Sequence, residues 1–319
     1  MENNIAVVLV TFNRLDKLKI ALNCYEKQTL VPKKMIVVDN ASTDGTVEYL
    51  KSWSERKGVC EREVVYLESN TGGAGGFGNG MDRALLEVET GLLEADWIMV
   101  SDDDAYPQRD ALETLVSYYM SLDTEQRNSI VALSSAVMNN GEIHEAHRSR
   151  IEKKLLRVRF VGVSKEEYQQ QAFDIDLFSY VGSMIKTEAL IKTGTTNKEL
   201  FIYGDDNEHS LRLKKLGRLV CVPKSIYIHD TPGVETRKIG WYNYYNRRNQ
   251  LYILKTYFPI RYLCFRVVKR YFADESPFSH HTRQEKTLFK AARHDALNGK
   301  LGKHDVYRPG FIITDRNNK

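Results

Sequence analysis

Ile5-Ala6-Val7-Val8-Leu9-Val10-Thr11-Phe12-Asn13-Arg14 opens with six consecutive apolar residues and then breaks at a polar turn. An unbroken apolar run this short reads as a strand covered on both faces, as in parallel sheets. The same grammar recurs downstream. A helix is predicted over 15–28, then a second apolar strand over 33–38 that ends at Asp39-Asn40-Ala41-Ser42. A helix over about 43–53 leads to a third strand over 64–67 and a glycine-rich loop over 70–80. A helix over 81–89 precedes a fourth strand, Trp97-Ile98-Met99-Val100, which runs straight into Ser101-Asp102-Asp103-Asp104. Strand, polar break and helix in this rhythm predict an α/β fold with a mainly parallel sheet flanked by helices. Ligands of such sheets bind at the carboxyl ends of strands, where every polar cluster just named falls.

The middle of the chain is less regular. Strands are predicted over 131–138 and 177–185, and the charged stretch 148–160 reads as an inserted loop or flap. Residues 201–208 open a helix whose body is 209–216, stopped by Gly217. Short strands follow over 220–222 and 225–229, and 241–272, rich in Tyr, Phe, Arg and Lys, reads as helical. The predicted division is an α/β domain over 1–234 and a basic, aromatic-rich, mainly helical extension over 235–319. The extension carries 18 Lys and Arg against 7 Asp and Glu, in a chain of net charge +4. A basic tail behind an acidic body points to an anionic partner or to a solvated or oligomeric surface.

With 42% hydrophobic residues the 319-residue chain can build a substantial core, which excludes wholesale disorder. Cys24, Cys60, Cys221 and Cys264 form no CxxC pair and no zinc-ligand spacing, so they read as reduced thiols. MENNIAVVLV is not a signal peptide, and no run approaches 18 apolar residues. The expected location is cytoplasmic, with peripheral contact at the inner face of a membrane through 241–272.

Asp102-Asp103-Asp104 follows a buried strand, where three successive carboxylates repel unless a cation compensates; hard oxygen donors suit Mg²⁺ or Mn²⁺. In an extended segment Asp102 and Asp104 would converge while Asp103 faces elsewhere; the plainer alternative is a solvated acidic turn. Residues 70–80 hold six glycines, which either let backbone amides approach a phosphate or form a flexible turn. Gly73 to Gly78 fits GxGxxG, but it follows the third strand and lacks the later acidic residue, so a dinucleotide fingerprint is disfavoured. Asp39 is placed to accept from a base or ribose, or simply caps a turn. Asp205 and Asp206 begin a helix whose dipole should keep them ionised, and an ionised carboxylate in a cleft can act as a general base. His229 ends a short strand and becomes a ligand candidate only with carboxylates beside it.

Taken together, Val7–Arg14, Val37–Asp44, Asn70–Gly76 and Asp102–Asp104, with Gly204-Asp-Asp-Asn-Glu-His-Ser-Leu-Arg212, resemble the large inverting glycosyltransferase family of bacterial polysaccharide synthesis, with the GT-A fold. The resemblance covers about residues 4–232. Within that family the NxGGAGG stretch, the carboxylate triplet and the late His are similar to galactofuranosyltransferases and rhamnosyltransferases, as is the tail segment His294–Gly302. The resemblance implies Asp102, Asp104 and His229 as metal-site residues and Asp206 as general base, with Asp205 beside it. It also implies a nucleotide-sugar site including Thr11, Phe12, Arg14, Asp39, Asn70, Gly72, Gly73, Gly75, Gly76, Asp102 and Asp103. The implied reaction moves a sugar from a UDP-sugar, galactofuranose first and dTDP-rhamnose as the alternative, to a glycan or lipid-linked glycan acceptor. Tyr203-Gly204 departs from the family pattern, in which tryptophan commonly precedes the carboxylate pair. The implied partners include no nucleic acid and leave room for a homo-oligomer.

Two other readings fit less well. A nucleotidyltransferase would place a glycine-rich, Lys-bearing loop after the first strand, where Thr11-Phe12-Asn13-Arg14 stands. A non-catalytic nucleotide- or carbohydrate-binding module needs neither the triplet nor the Asp205-Asp206 pair.

Overall fold

The structure is a computed structural model and describes residues 4–231 and 239–313. The first four strands are β1 (Ile5–Thr11), β2 (Lys34–Asp39), β3 (Glu61–Tyr66) and β4 (Trp97–Asp102), joined by α1 (Leu15–Glu26), α2 (Thr46–Glu55) and α3 (Gly72–Glu89). They pair in parallel in the order β3-β2-β1-β4. Every residue of β1 and β2 is buried, which is why both read as continuous apolar runs. The one cation in β2, Lys34, is buried too, and its ammonium lies 2.6 Å from Glu63 and 2.7 Å from Glu87.

The chain continues through β5 (Ala105–Pro107), α4 (Ala111–Ser121), α5 (Thr124–Ser129), β6 (Ile130–Asn139) and β7 (Glu142–Ile143). Next come β8 (Arg148–Lys153), β9 (Val158–Gly162), β10 (Phe173–Ile175), β11 (Leu177–Phe178), β12 (Ser183–Lys186), α6 (Thr187–Thr193), α7 (Asp205–Leu213) and β13 (Arg218–His229). β12 lies antiparallel between β4 and β6, and β13 lies parallel to β6, so the second half of the sheet is mixed.

Several local expectations change. The charged stretch 148–160 is no flap: β8 and β9 pair in a three-stranded sheet with β11. Residues 220–222 and 225–229 are one strand, β13, with an irregularity between Val222 and Ile226 that sequence runs alone split in two. The glycine stretch is not a loop but the first turns of α3. A Cβ on Gly76 would come within 2.5 Å of Val10 Cγ1, and one on Gly80 would collide with Val8 and sit 2.9 Å from Val38 Cγ2. These glycines therefore let a helix lie directly on β1 and β2. Gly80→Ala should gain about 1 kcal/mol of helix propensity and lose about 1–3 kcal/mol to overpacking. The net expectation is a lower Tm in calorimetry, with no loss of helix signal at low temperature.

The stretch 241–272 is broken in two. α8 (Trp241–Tyr257) stops at Phe258, held extended by the proline that follows, and α9 (Ile260–Arg270) restarts after Pro259. α10 (Arg283–Asn298) follows, opened by a capping box from Thr282 and Glu285.

The chain forms two compact units, one of 1–151, 160–197 and 206–231, the other of 152–159, 198–205 and 232–319. The expected boundary at 234/235 lies outside the described residues. Within the second unit Phe201, Tyr244, Tyr245, Leu288, Phe289, Ala292 and Tyr307 form a core. Arg248, 1% exposed, donates to the carbonyls of Leu200 and Gly302. Of the aromatic residues of α8, Tyr244 and Tyr245 thus belong to the interior, while Trp241, Tyr242, Tyr252 and Tyr257 are half-buried.

Candidate active site

Carboxylates, a histidine and an arginine gather at the strand ends because sheet register puts them there. Thr11 pairs with Asp39 across β1 and β2, and Val10 with Asp102 across β1 and β4. Asp103 and Asp104 form the turn between β4 and β5. β5 runs antiparallel to β13 with Ala105 opposite His229, so a residue 125 positions later in the chain lands beside the triplet. His229 Nε2 lies 3.3 Å from Asp104 Oδ1, and ligand atoms of Asp102, Asp104 and His229 all lie within 4.8 Å of one another. The last turn of the strand is pinned by Asn139, whose Nδ2 donates to the His229 carbonyl at 3.0 Å and to Thr231 Oγ1 at 2.8 Å.

The triplet is not a solvated turn, since Asp103 and Asp104 are 3% and 2% exposed. Asp103 faces away from the point that Asp102, Asp104 and His229 share. Its carboxylate turns to the end of β1, accepting from Thr11 Oγ1 at 2.7 Å, from the Phe12 N–H at 3.4 Å and from Arg14 at 3.2 Å. Arg14 also donates to Asp104 at 2.6 Å. Burial, then the charges of Asp104 and Asp103, push the Asp102 carboxyl up to about 7. Burial pushes Asp103 up to about 6, against Arg14 and Thr11. For Asp104 burial is outweighed by His229, Arg14 and Lys17, and its carboxyl lies below the ordinary range. Two buried carboxylates and a half-buried third crowd together beside a half-exposed guanidinium, an arrangement that a cation would relieve. Two carboxylates and an imidazole within reach of one point are a donor set that fits Mn²⁺ or Mg²⁺.

Other expected residues fall into place differently. Asp39 is buried, with its oxygens 3.2 and 3.3 Å from the Ser42 N–H. Asn70 Oδ1 accepts from the Gly72 N–H at 2.8 Å, and a Cβ on Gly73 would meet nothing within 4 Å. A Cβ on Gly75 would collide with the Thr71 side chain, so Gly75 and Gly76 answer to packing before they answer to any phosphate. Phe12, 38% exposed, is open at the strand end.

Asp205 and Asp206 open α7. Burial pushes the Asp206 carboxyl up to about 6 and outweighs the Asn207 N–H, which donates to it at 2.7 Å, and the charge of Arg148. Desolvation thus raises its pKa despite the helix end, but a value of about 6 still leaves the carboxylate mainly ionised at neutral pH. The preceding loop is strained, with Phe201 at φ 64° and Tyr203 at φ 67°, conformations that non-glycine residues rarely adopt. It is held by Asn249 of α8, whose Nδ2 lies 2.9, 2.9 and 2.8 Å from the carbonyls of Leu200, Ile202 and Tyr203. Tyr203 stacks against Trp241 at 6.5 Å.

Comparison with known proteins fits this geometry. The sequence profile of glycosyl transferase family 2 matches residues 6–194, from the first strand through the carboxylate turn to the end of α6. The chain belongs to glycosyl transferase family 2. A galactofuranosyltransferase of Mycobacterium tuberculosis is 30% identical over 226 residues, covering 68% of this chain and 66% of the relative. One of Mycolicibacterium smegmatis is 29% identical over 224 residues, 67% of this chain and 66% of the relative. The chain thus spans 66% of the length of these curated relatives. Among solved structures, GalNAc-T7 with UDP, GalNAc and Mn²⁺ superposes with a TM-score of 0.58 at 16% identity, over 92% of this chain and 55% of that one. S. aureus TarS with UDP-GlcNAc gives 0.57 at 15% identity, over 92% of this chain and 81% of that one. These likenesses carry the GT-A fold.

The family-2 chain also uses residues to which the sequence assigned no role. Asn40 takes the Thr71 N–H on Oδ1 at 2.9 Å and donates to the Gly72 carbonyl at 2.9 Å, tying the end of β2 to the start of α3. Asn13, at φ 52°, accepts from the Thr43 N–H at 2.6 Å. Both stood inside the quoted motifs as Thr-Phe-Asn and Asp-Asn-Ala-Ser, so a signal was present. Arg148, fully buried, gave none because it sat in the stretch read as a flap, and His147, just before that stretch, carried no motif.

Proposed function

We propose that this family-2 glycosyltransferase moves a sugar, with inversion, from a UDP-sugar to a hydroxyl of a glycan or lipid-linked glycan in cell-surface polysaccharide synthesis. UDP-galactofuranose is the first candidate donor. The observation that carries the proposal is the convergence of Asp102, Asp104 and His229 at the carboxyl edge of the sheet. Those three residues would hold Mn²⁺ or Mg²⁺, which when bound supplies Lewis-acid relief of the charge developing on the departing diphosphate. Asp103 holds Arg14 at the end of β1, where the guanidinium faces the same negative charge. Thr11, Phe12, Asp39 and the start of α3 border the nucleoside. Asp206 takes the proton from the acceptor hydroxyl as that oxygen attacks the anomeric carbon, a role suited to a carboxylate of pKa about 6. The galactofuranosyltransferases of the two mycobacterial species support the choice of sugar.

A thermal-shift series with nucleoside diphosphates, with and without Mn²⁺, tests the donor class. The expected result is a shift with UDP that needs Mn²⁺ and is lost on chelation. A shift confined to dTDP would move the donor to dTDP-rhamnose, and no shift with any of them would sink the reading.

We further infer peripheral contact of the second unit with an anionic bilayer. No helix of the described residues is long and apolar enough to cross a membrane. Ile260, Cys264 and Val268 share one face of α9 at four-residue spacing, and all three are exposed. A cavity of about 220 Å³ beside that helix is lined by Arg157, Arg159, Phe265, Arg266, Lys269 and Arg270. Leu155, 83% exposed, stands at the adjoining hairpin tip. Exposed apolar side chains beside clustered cations fit a surface of anionic headgroups over hydrocarbon, and the same cluster would repel a second copy of itself. Vesicles of phosphatidylglycerol should pellet the protein at low salt and vesicles of phosphatidylcholine should not. Arg159→Glu with Lys269→Glu should abolish the difference, and equal negligible pelleting with both lipids would refute the contact.

A further inference from the structure

A neutral imidazole offers a cation one nitrogen, and which nitrogen is open depends on where its proton sits. His229 Nε2 lies 3.3 Å from Asp104 Oδ1, on the side where the proposed cation would bind, and Nδ1 lies 3.3 Å from His147 Nε2. His147 Nδ1 in turn lies 2.6 Å from Ser179 Oγ. With the proton on His229 Nε2, it would be donated to the Asp104 carboxylate, and the nitrogen would be closed to a cation. With the proton on Nδ1, Nε2 presents a lone pair beside Asp104, but only if the buried-side N–H finds an acceptor. His147 Nε2 is that acceptor. Its own proton then sits on Nδ1 and is donated to Ser179 Oγ, so one proton placement satisfies both links from His229 to Ser179 and leaves the Nε2 lone pair facing Asp104 for a cation to join.

The far end of this chain is built rigidly. Arg148, fully buried, donates to the carbonyls of Ser135 at 2.9 Å, His147 at 2.7 Å and Val181 at 2.7 Å. One guanidinium thus fixes the backbone that carries His147 and the turn that follows Ser179. The acceptor for a metal-bound histidine is usually a carboxylate, a backbone carbonyl or water; here it is a second imidazole.

We propose that His147 is a positioning residue, which selects the His229 tautomer that leaves Nε2 open beside Asp102 and Asp104. The inference rests on the proposed metal role of those residues. Loss of such an outer partner costs about 10–100-fold in metal affinity.

The test is a titration of the full chain with Mn²⁺ alone, reading free ion by electron paramagnetic resonance. H147L, which keeps bulk but has no acceptor, should weaken Mn²⁺ binding by about 10–100-fold. H147Q, whose Oε1 can take the place of Nε2, should restore most of it. S179A is the second variant if H147L does not fold, and it should also weaken binding while leaving the imidazole in place. Equal effects of H147L and H147Q would mean packing and overturn the proposal, as would wild-type affinity in H147L or S179A. D104A separates the two readings. If D104A loses Mn²⁺ binding and H147L does not, only the role of His147 fails. If D104A binds as wild type, the metal reading fails and takes this proposal with it. His144, His147 and His229 also bring ring nitrogens within 4.8 Å of one another. A second Co²⁺ equivalent that survives D104A and disappears in H144A would make His147 a ligand rather than a positioning residue.

Discussion

Asp104→Ala is expected to eliminate Mn²⁺-dependent UDP binding and to lower sugar transfer by roughly 10³-fold, the several kcal/mol that a Lewis-acid cation supplies at a developing phosphate charge. Asp104 is the one carboxylate of the triplet that faces both His229, at 3.3 Å, and Arg14, at 2.6 Å, and its carboxyl lies below the ordinary range. It is therefore ionised and aimed at the point where the donors meet. The fold should survive the change, because Arg14 is half exposed and keeps Asp103 as a partner at 3.2 Å. Asp103→Asn should be milder for transfer, since Asp103 serves Thr11, Phe12 and Arg14 rather than that point. Thermal shift with UDP and Mn²⁺ and a transfer assay check both variants. Near-normal turnover with full metal dependence in Asp104→Ala would show the assignment to be wrong.

Asp206→Asn should lower kcat by roughly 10² to 10⁴-fold with little change in UDP affinity, because the amide keeps the shape but cannot take a proton. Asp205→Asn is the control and should be less severe; exchanged effects would move the base to Asp205. The pH dependence has a definite sign. Burial raises the Asp206 carboxyl to about 6, and the base works only when deprotonated. The rate should therefore rise with pH through a limb near 6 and flatten above it, and Asp206→Asn should lack that limb. Stability moves the other way. A carboxyl whose folded pKa lies above its unfolded value favours the folded state at low pH and loses that contribution as pH rises through the folded value. Asp206→Asn should accordingly raise the Tm at pH 8 relative to the parent and have little effect at pH 5. A Tm unchanged at both values would mean that desolvation of Asp206 is not what tunes it.

Much of the parallel half of the sheet was legible because its strands obey a local rule. A strand buried on both faces needs an unbroken apolar run, and β1, β2 and β4 carry one at 5–10, 35–38 and 97–100, so their positions and the polar residues at their ends stand out in the sequence. β3, partly exposed, was found later and shorter than it is. The glycines of α3 misled for an equally physical reason. Six glycines in eleven residues lack helix propensity, yet contact with Val8, Val10 and Val38 overrides it. The hairpin of β8 and β9 was missed because its exposed faces are charged and its pairing partner, β11, lies outside the stretch.

What the sequence by itself determined is the set of strand ends and the chemistry waiting there: Thr11, Asp39, the Asp102–Asp104 triplet and, on another segment, the Asp205-Asp206 pair. These follow from patterns a few residues long. What only the tertiary structure decided is which distant groups join them. His229 reaches Asp104 because β5 and β13 pair in a register that sets Ala105 opposite His229. His147 reaches His229 because Arg148 holds its backbone to that of Ser135 and Val181. The aromatic stretch after residue 240 divides into interior and surface because Pro259 breaks it and Tyr244 and Tyr245 fill a core. Register, burial and the satisfaction of buried polar groups are properties of chains brought together across long separations. A local pattern of residues does not contain them.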